Sequence, residues 1–134
     1  MIGLVIATHG NLGEALLETL AMIIGPTDLA RTVSLSHDHP PELLHDQLAA
    51  AIAAVSQNQG VLVAADMYGG TPANVCMNLL ESGRVELLTG VNLPMLLKFF
   101  TYRERLTLSE LAELLQGYAR DGIVLGSAVL SGQP

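Results

Sequence analysis

Short apolar runs, spaced along the chain by stretches with helical periodicity, constrain the fold of this protein more than any other feature of its sequence. The four runs are residues 2–8, 32–36, 61–65 and 85–89. The first and third are apolar at nearly every position, which is typical of strands buried on both faces in a parallel sheet. The pattern therefore predicts four short strands.

Five stretches of helical periodicity lie between and after these runs. Two open with a capping-box pattern, in which a short polar residue stands three positions before glutamate: Asn11 with Glu14, and Thr107 with Glu110. We expect Thr71 to N-cap the third helix, which should run to about residue 82. The predicted helices begin near Asn11, Pro41, Thr71, Leu93 and Thr107.

The alternation of strands and helices predicts the fold class. Strand–helix–strand units with short connections form parallel sheets covered by helices on both faces. No linker, repeat or low-complexity segment interrupts residues 1–134, so we expect one α/β domain with a central, mostly parallel sheet. Residues 123–130 are apolar and β-branched enough for a further C-terminal strand, broken by Gly126.

The charge balance excludes several classes of partner. The chain has 6 Lys and Arg against 13 Asp and Glu, a formal net charge of −7. It offers no basic cluster for nucleic-acid phosphates or for an anionic membrane surface. We therefore expect no nucleic-acid partner, and we expect the acidic surface to be steered toward basic patches on other proteins.

Cysteine usage and targeting signals indicate the cytoplasm. Cys76 is the only cysteine, so no disulfide can form within the chain, and its neighbours predict a buried thiol. The first basic residue is Arg31, so the start lacks the positive charge of a secretory signal. The apolar stretches are also interrupted before they reach the roughly 20 residues of a membrane-spanning helix.

Two polar residues follow predicted strands at equivalent points. His9 comes after the first strand and Asp66 after the third. Because parallel strands end at the same edge of a sheet, both side chains should meet there, near the topological switch point. Asp66 could then accept the N–H of one His9 ring nitrogen and leave the lone pair of the other facing solvent. This pairing suggests that Nδ1 is held and that Nε2 is the reactive nitrogen.

The turns beside these residues favour an anion. Gly69-Gly70-Thr71 leads into one helix N-terminus, and Gly10-Asn11 leads into another beside His9. Backbone N–H groups at such ends, with the Thr71 hydroxyl, suit a transferable phosphoryl group. The alternative is a structural histidine beside an ordinary loop-to-helix junction.

Other chemistries have weaker support. His37-Asp38-His39 contains metal-ligand residue types, but adjacent positions rarely point toward one ion and no third fixed ligand is evident. We interpret it as a polar loop at the rim of the site and expect no metal. The Walker A, GxGxxG and GxSxG motifs are missing, which disfavours nucleotide binding and serine hydrolysis.

Three stretches of the sequence carry a family resemblance. They are Ile6-Ala7-Thr8-His9-Gly10 followed by Leu12-Gly13, Asp66-Met67-Tyr68-Gly69-Gly70-Thr71-Pro72-Ala73-Asn74, and Gly90-Val91-Asn92-Leu93-Pro94-Met95. In this combination and order, the chain resembles the enzyme IIA component of mannose-type phosphoenolpyruvate-dependent sugar phosphotransferase systems (PTS). The resemblance implies a phosphotransferase with a phosphohistidine intermediate. In it, His9 takes a phosphoryl group from phospho-HPr and passes it to a separate IIB protein, which serves the membrane components IIC and IID.

The same resemblance assigns further roles. Asp66 matches the carboxylate partner of the histidine, and Thr71 matches a position, commonly Ser, that holds the phosphoryl group together with Gly10, Gly69 and Gly70. Tyr68 matches a site that is often Phe and, with Asn92, is assigned to the partner-binding surface. The resemblance also implies a homodimer in which residues 123–130 form a strand that crosses to the other subunit. No cofactor is implied for the transfer.

Two alternatives remain open from the sequence. In the first, phosphorylation of His9 controls a partner protein by docking and serves no transporter. In the second, the chain is a small-ligand binding module without phosphotransfer, for which His9→Ala would leave function intact. A role in dihydroxyacetone phosphorylation is disfavoured, because the Gly-Gly-Thr-Pro-Ala-Asn turn resembles the mannose-type branch. The sequence does not identify the sugar.

Overall fold

Four strands and six helices make up the described part of this computed structural model, which covers residues 1–36 and 38–132 and only the backbone of Thr71 and Pro72. The strands are β1 (Gly3–His9), β2 (Ala30–Leu35), β3 (Val61–Ala65) and β4 (Val85–Leu88). The helices are α1 (Leu12–Ile24), α2 (Pro41–Val55), α3 (Gly70–Asn78), α4 (Leu93–Tyr102), α5 (Leu108–Asp121) and α6 (Gly126–Leu130).

The sheet is parallel throughout, with the strand order β2-β1-β3-β4. The central strands β1 and β3 are buried on both faces, and alternate residues therefore belong to two separate cores. Leu4 and Ile6 of β1 pack with α1, α4 and α5, whereas Val5 and Ala7 pack with α2 and α3. The predicted α/β fold with helices on both faces is confirmed.

The strand order places a topological switch point between β1 and β3. From β1 the chain moves to β2 on one side of the sheet, and then returns to β3 on the other side. The connections after β1 and β3 therefore diverge at the carboxyl edge, where the strands end, and a crevice forms between them. His9 ends β1 and Asp66 directly follows β3, so both lie at this crevice.

The starts of two helices differ from the prediction. Asn11 occupies the N-cap of α1, but its side chain makes no capping hydrogen bond. Instead, the Gly13 N–H of the first turn donates to the Thr8 hydroxyl at 2.7 Å. The N-cap of α3 is Gly69 rather than Thr71, and the helix ends at Asn78. Neither helix start therefore has the predicted polar cap: at α1 the Thr8 hydroxyl of β1 binds the first turn, and at α3 the N-cap is a glycine.

Within this single chain, residues 123–130 do not form the predicted C-terminal strand. Residues 123–125 are irregular, and Gly126–Leu130 forms the short helix α6. A strand needs a neighbouring strand to satisfy its backbone groups, and within the described residues this segment has none. It satisfies them locally, for example from the Val129 N–H to the Leu125 carbonyl at 3.2 Å. Its apolar side chains stay exposed: Ile123, Val124, Leu125, Val129 and Leu130.

At the amino edge of the sheet, where the strands begin, Arg103 follows α4 and is almost fully buried. Its guanidinium donates to the Ile2 carbonyl from Nε at 3.0 Å and from Nη2 at 2.8 Å. It also donates to the carbonyls of Asp28 at 2.8 Å and Leu29 at 3.2 Å. One side chain thus ties the start of β1 to the loop before β2.

Two smaller sequence predictions concern the buried thiol and membrane-spanning helices. Cys76 is buried as expected, and burial raises the pKa of its thiol to about 11. Among the described residues, no helix combines the length and apolar character needed to cross a membrane.

Candidate functional site

His9 and Asp66 are in direct contact at the carboxyl edge of the sheet. One carboxylate oxygen of Asp66, Oδ2, lies 2.9 Å from His9 Nδ1 and also accepts the His9 backbone N–H at 2.9 Å. The side chain of Asp66 is 15% exposed and that of His9 is 42% exposed. A single oxygen therefore fixes both the main chain and the ring of His9, while the imidazole remains accessible from solvent.

The charge of Asp66 decides which nitrogen carries the proton. Burial by itself would raise the pKa of this carboxyl group, but the hydrogen bonds from the His9 backbone and ring lower the pKa below its ordinary value of 3.8. Asp66 is consequently ionised at neutral pH and can only accept. The Nδ1–H of His9 must then be the donor, which leaves the lone pair of the neutral ring on Nε2.

Glycine-containing turns flank this pair. Gly10 follows His9 with φ +55°, and Gly69 and Gly70 open α3 with φ +96° and +79°. These angles lie in the left-handed region, which favours glycine. Gly69 has no side chain, and the side chain of Asn11 does not cap α1, so the backbone N–H groups at these helix starts are not claimed by their own N-cap residues. The predicted contribution of the Thr71 hydroxyl lies outside the described residues.

Tyr68 and Asn92 lie at different depths. Tyr68 is 76% exposed in the turn that follows β3. The Asn92 Oδ1 caps α4 by accepting the Met95 N–H at 3.0 Å, and its Nδ2 donates to the Ala119 carbonyl at 3.0 Å. Asn92 therefore secures the turn after β4, a structural task that the sequence did not predict. Partner binding by either residue stays a prediction.

A groove of about 410 Å³ extends from Tyr68 along β4. Leu87 and Leu88 of β4 line it, as do Gln116 of α5 and Ile123 after α5. Apart from a single bridge to Glu81, β4 pairs with β3 alone in the described part of the chain. The outer side of β4 is thus an open sheet edge beside a groove.

The alternative metal site is only partly described. His37 lies outside the described residues, while Asp38 is exposed and His39 is half-buried. Within residues 1–36 and 38–132, no group of three His, Cys, Asp or Glu side chains is arranged to hold a metal ion.

Two residues near His9 were missed by the sequence reasoning. Thr8 is fully buried and binds the first turn of α1. Ser34 of β2 donates its hydroxyl hydrogen to the Gly10 carbonyl at 2.5 Å. The sequence signal that could have identified them is a hydroxyl residue one position before the end of each of the two strands, β1 and β2.

Comparisons with known proteins show the family of this chain. Residues 3–116 match the EIIA-man family model, described as the PTS system fructose IIA component. The fructose-specific EIIA component of Bacillus subtilis is 31% identical over 121 residues, which cover 90% of this chain and 83% of that protein. The mannose-specific EIIAB component of Escherichia coli is 30% identical over 124 residues; these cover 91% of this chain but only 38% of that longer protein.

Solved structures show the same fold. The EIIA component from Streptococcus agalactiae superposes with a TM-score of 0.86 at 25% identity and covers 96% of this chain and 99% of its own. The mannose/sorbose-specific IIA subunit from Enterococcus faecalis gives a TM-score of 0.80 at 26% identity, with coverages of 92% and 93%. Because the family model matches residues 3–116 and the Bacillus subtilis relative is 31% identical over most of both chains, the chain belongs to the EIIA-man family of phosphotransferase-system IIA components.

Proposed function

We propose that this chain is a phosphocarrier in the cytoplasm, in which His9 accepts a phosphoryl group from phospho-HPr and passes it to a separate IIB protein for sugar uptake. The observation that carries this proposal is the double hydrogen bond of Asp66 Oδ2 to the backbone and ring of His9 at the switch point. A nucleophile with its ring held by a carboxylate is the arrangement that histidine-based group transfer requires.

The reaction needs no atom that the two proteins lack. The P–N bond of the donor phosphohistidine breaks while a P–N bond to His9 forms, and the electron pair of the broken bond remains on the donor imidazole. Nε2 of His9 is the attacking atom, since the Nδ1 proton stays in the hydrogen bond to ionised Asp66. Donor and acceptor are both imidazoles, so the step is nearly balanced in free energy and reversible.

Catalysis here consists of positioning and charge stabilisation. The transfer of a phosphoryl group passes through a loose transition state, in which the negative charge is spread over three oxygens. The backbone N–H groups that follow Gly10 and Gly69 belong to the starts of α1 and α3, whose positive dipole ends favour that charge. Thr71 and Gly70 would complete this cradle.

The surface around His9 suits a docking protein with a basic rim. The chain carries a net charge of −7, which raises the association rate with a basic partner. Exposed apolar side chains flank the site on both sides: Leu12 at the start of α1, and Met67 and Tyr68 after Asp66. A mixed apolar and polar patch of this kind is typical of transient interfaces.

The test is phosphorylation by phosphoenolpyruvate, enzyme I and HPr, with the label followed to a IIB protein. His9→Ala should remove labelling altogether. His45→Ala is a matched control, because His45 Nδ1 also lies near a carboxylate, that of Asp46, at 3.5 Å, but this pair is exposed on α2. Labelling of His9→Ala at the wild-type level would overturn the proposal.

The same experiment separates transport from regulation. Transfer of the label from His9 to IIB supports the carrier role. A chain that is labelled on His9 but delivers nothing to any IIB protein supports the regulatory alternative, in which the phosphorylated surface itself is read by a partner.

We also propose that the chain acts as a homodimer in which residues 123–130 of one copy lie along β4 of the other. The open edge of β4, the adjoining groove and the exposed apolar side chains of the C-terminal segment support this arrangement. Sedimentation should give a dimer for the wild type and a monomer for Leu125→Asp. A monomeric wild type would contradict the proposal.

A further inference from the structure

We propose that Thr8 is a positioning residue for phosphotransfer: its buried hydroxyl sets where α1 begins and thereby places the backbone around His9. The inference rests on the proposed function, and it assigns the residue before the histidine a task of its own. Thr8 itself does not touch the phosphoryl group.

The contact is buried and short. Thr8 has no exposed surface, and its Oγ1 accepts the Gly13 N–H at 2.7 Å. A hydroxyl in a fully buried strand is costly unless it is hydrogen-bonded. The partner here is an N–H of the first turn of a helix, a group with no partner inside the helix.

Thr8 replaces the missing cap of α1. The side chain of Asn11, which stands at the N-cap, makes no capping hydrogen bond. Close packing reinforces the hydroxyl contact, because a Cβ added to Gly13 would lie 3.2 Å from both Thr8 Oγ1 and Ile6 Cγ2. The start of α1 therefore packs directly on the end of β1, and only the turn at Gly10 and Asn11 separates it from His9, the last residue of the strand.

A second set of contacts holds the other side of the turn. The Gly10 N–H donates to the Leu35 carbonyl at 3.3 Å, and the Gly10 carbonyl accepts from Ser34 Oγ. Gly10 in this turn is thus hydrogen-bonded to β2, the first turn of α1 is hydrogen-bonded to Thr8, and the His9 backbone is hydrogen-bonded to Asp66. Loss of the Thr8 hydroxyl would release the inner contact and let the N-terminus of α1 shift relative to the imidazole.

The test compares Thr8→Val, which keeps the shape but removes the hydroxyl, with Thr8→Ser, which keeps the hydroxyl. Thr32→Val in β2 is the matched control. At saturating phospho-HPr we expect Thr8→Val to be phosphorylated about 10-fold or more slowly, since small misplacements of reacting groups have such effects. Thr8→Ser should recover most of the rate, and Thr32→Val should not change it.

A second readout does not depend on phosphotransfer. The NMR signals of the His9 ring nitrogens and of the Gly13 amide should shift in Thr8→Val and return in Thr8→Ser. If Thr8→Val does not fold, Thr8→Ala is judged by the same criteria.

Wild-type rates and unshifted His9 signals in Thr8→Val would overturn the inference, as would Thr8→Ser being as slow as Thr8→Val. If HPr fails to label even the wild type, the proposed function fails. The NMR comparison alone then decides the role of Thr8.

Discussion

The two edges of the sheet are built on opposite principles. At the amino edge, Arg103 makes hydrogen bonds to three different carbonyls, and α5 opens with a complete capping box formed by Thr107 and Glu110. At the carboxyl edge, α1 and α3 begin without a capping side chain of their own, and His9 is partly exposed. At the amino edge these polar groups are bound by side chains of the fold. Beside His9 the N-cap residues of α1 and α3 make no side-chain cap, although Thr8 accepts the Gly13 N–H and Asn92 caps α4 at the same edge.

This difference shows how a small domain separates stability from function. A group that will bind a transient phosphoryl anion cannot also be permanently satisfied by the protein. Stability must then come from elsewhere in the fold, and the amino edge with the two aliphatic cores supplies it. Changes at the two edges should accordingly affect different measurements.

The largest effect on stability should come from Arg103→Met. Removal of the guanidinium takes both donors from the Ile2 carbonyl, in a buried contact, and removes the hydrogen bonds to the part-buried carbonyls of Asp28 and Leu29; the Leu29 carbonyl keeps the Leu4 N–H. We expect the free energy of unfolding to fall by about 3–5 kcal/mol. Chemical denaturation measures this loss, and labelling of His9 in the folded fraction should remain at the wild-type rate.

Arg105→Met is the control for that variant, because Arg105 is exposed two residues further on. It should change stability by about 0.5 kcal/mol or less. If the two variants lost equal stability, or if Arg103→Met slowed transfer while folded, the separation of the two edges would fail.

For Asp66→Asn we expect a large loss of phosphotransfer rate, in contrast to Arg103→Met, which should lower stability. An amide presents an N–H group and has a weaker acceptor, so it cannot bind both N–H groups of His9 with the strength of a carboxylate. The ring would lose its orientation and its fixed proton, and we expect transfer to slow by about 100-fold or more. Labelling kinetics measure the effect. Asp46→Asn, beside exposed His45, should transfer normally.

The pH dependence sharpens that comparison. Folding lowers the pKa of Asp66 below 3.8, so the folded state favours the carboxylate. Its contribution to stability is complete above pH 3.8 and is lost as the pH falls through the lowered pKa. The stability difference between wild type and Asp66→Asn should therefore be constant near neutral pH and shrink in acid. A difference that grew in acid would contradict the pairing.

The sequence predicted the central strands of the sheet, because a strand that is buried on both faces appears as a continuous apolar run. Residues 61–65 were predicted as a strand and form β3, and the rule that sites lie at the carboxyl ends of parallel strands predicted the contact between His9 and Asp66. The contact followed from topology alone, since parallel strands in one sheet must end at the same edge.

The rest depended on contacts that the sequence does not reveal. Residues 123–130 have the composition of a strand, but composition cannot supply the neighbouring strand, and the segment forms α6. Thr8 stands at the end of an apolar run, and the sequence around Arg103 does not indicate that its side chain is buried. Their tasks come from Gly13 and Ile2, which folding brings into contact with them.

The smallest expected change in the free energy of unfolding comes from the N-caps of α5, at the amino edge, and α1, at the carboxyl edge. Thr107 Oγ1 accepts the Glu110 N–H at 3.3 Å, and the Glu110 carboxylate accepts the Thr107 N–H at 3.0 Å. Thr107→Ala should lower the free energy of unfolding by about 1 kcal/mol, the usual cost of a lost N-cap. Asn11→Ala should cost clearly less, because the Asn11 side chain makes no cap to lose. Denaturant titration of both variants, with Thr107→Ser as the capped control, measures the difference. Equal costs would mean that Asn11 caps the start of α1 in addition to Thr8, and that fewer donors beside His9 are available to the phosphoryl group.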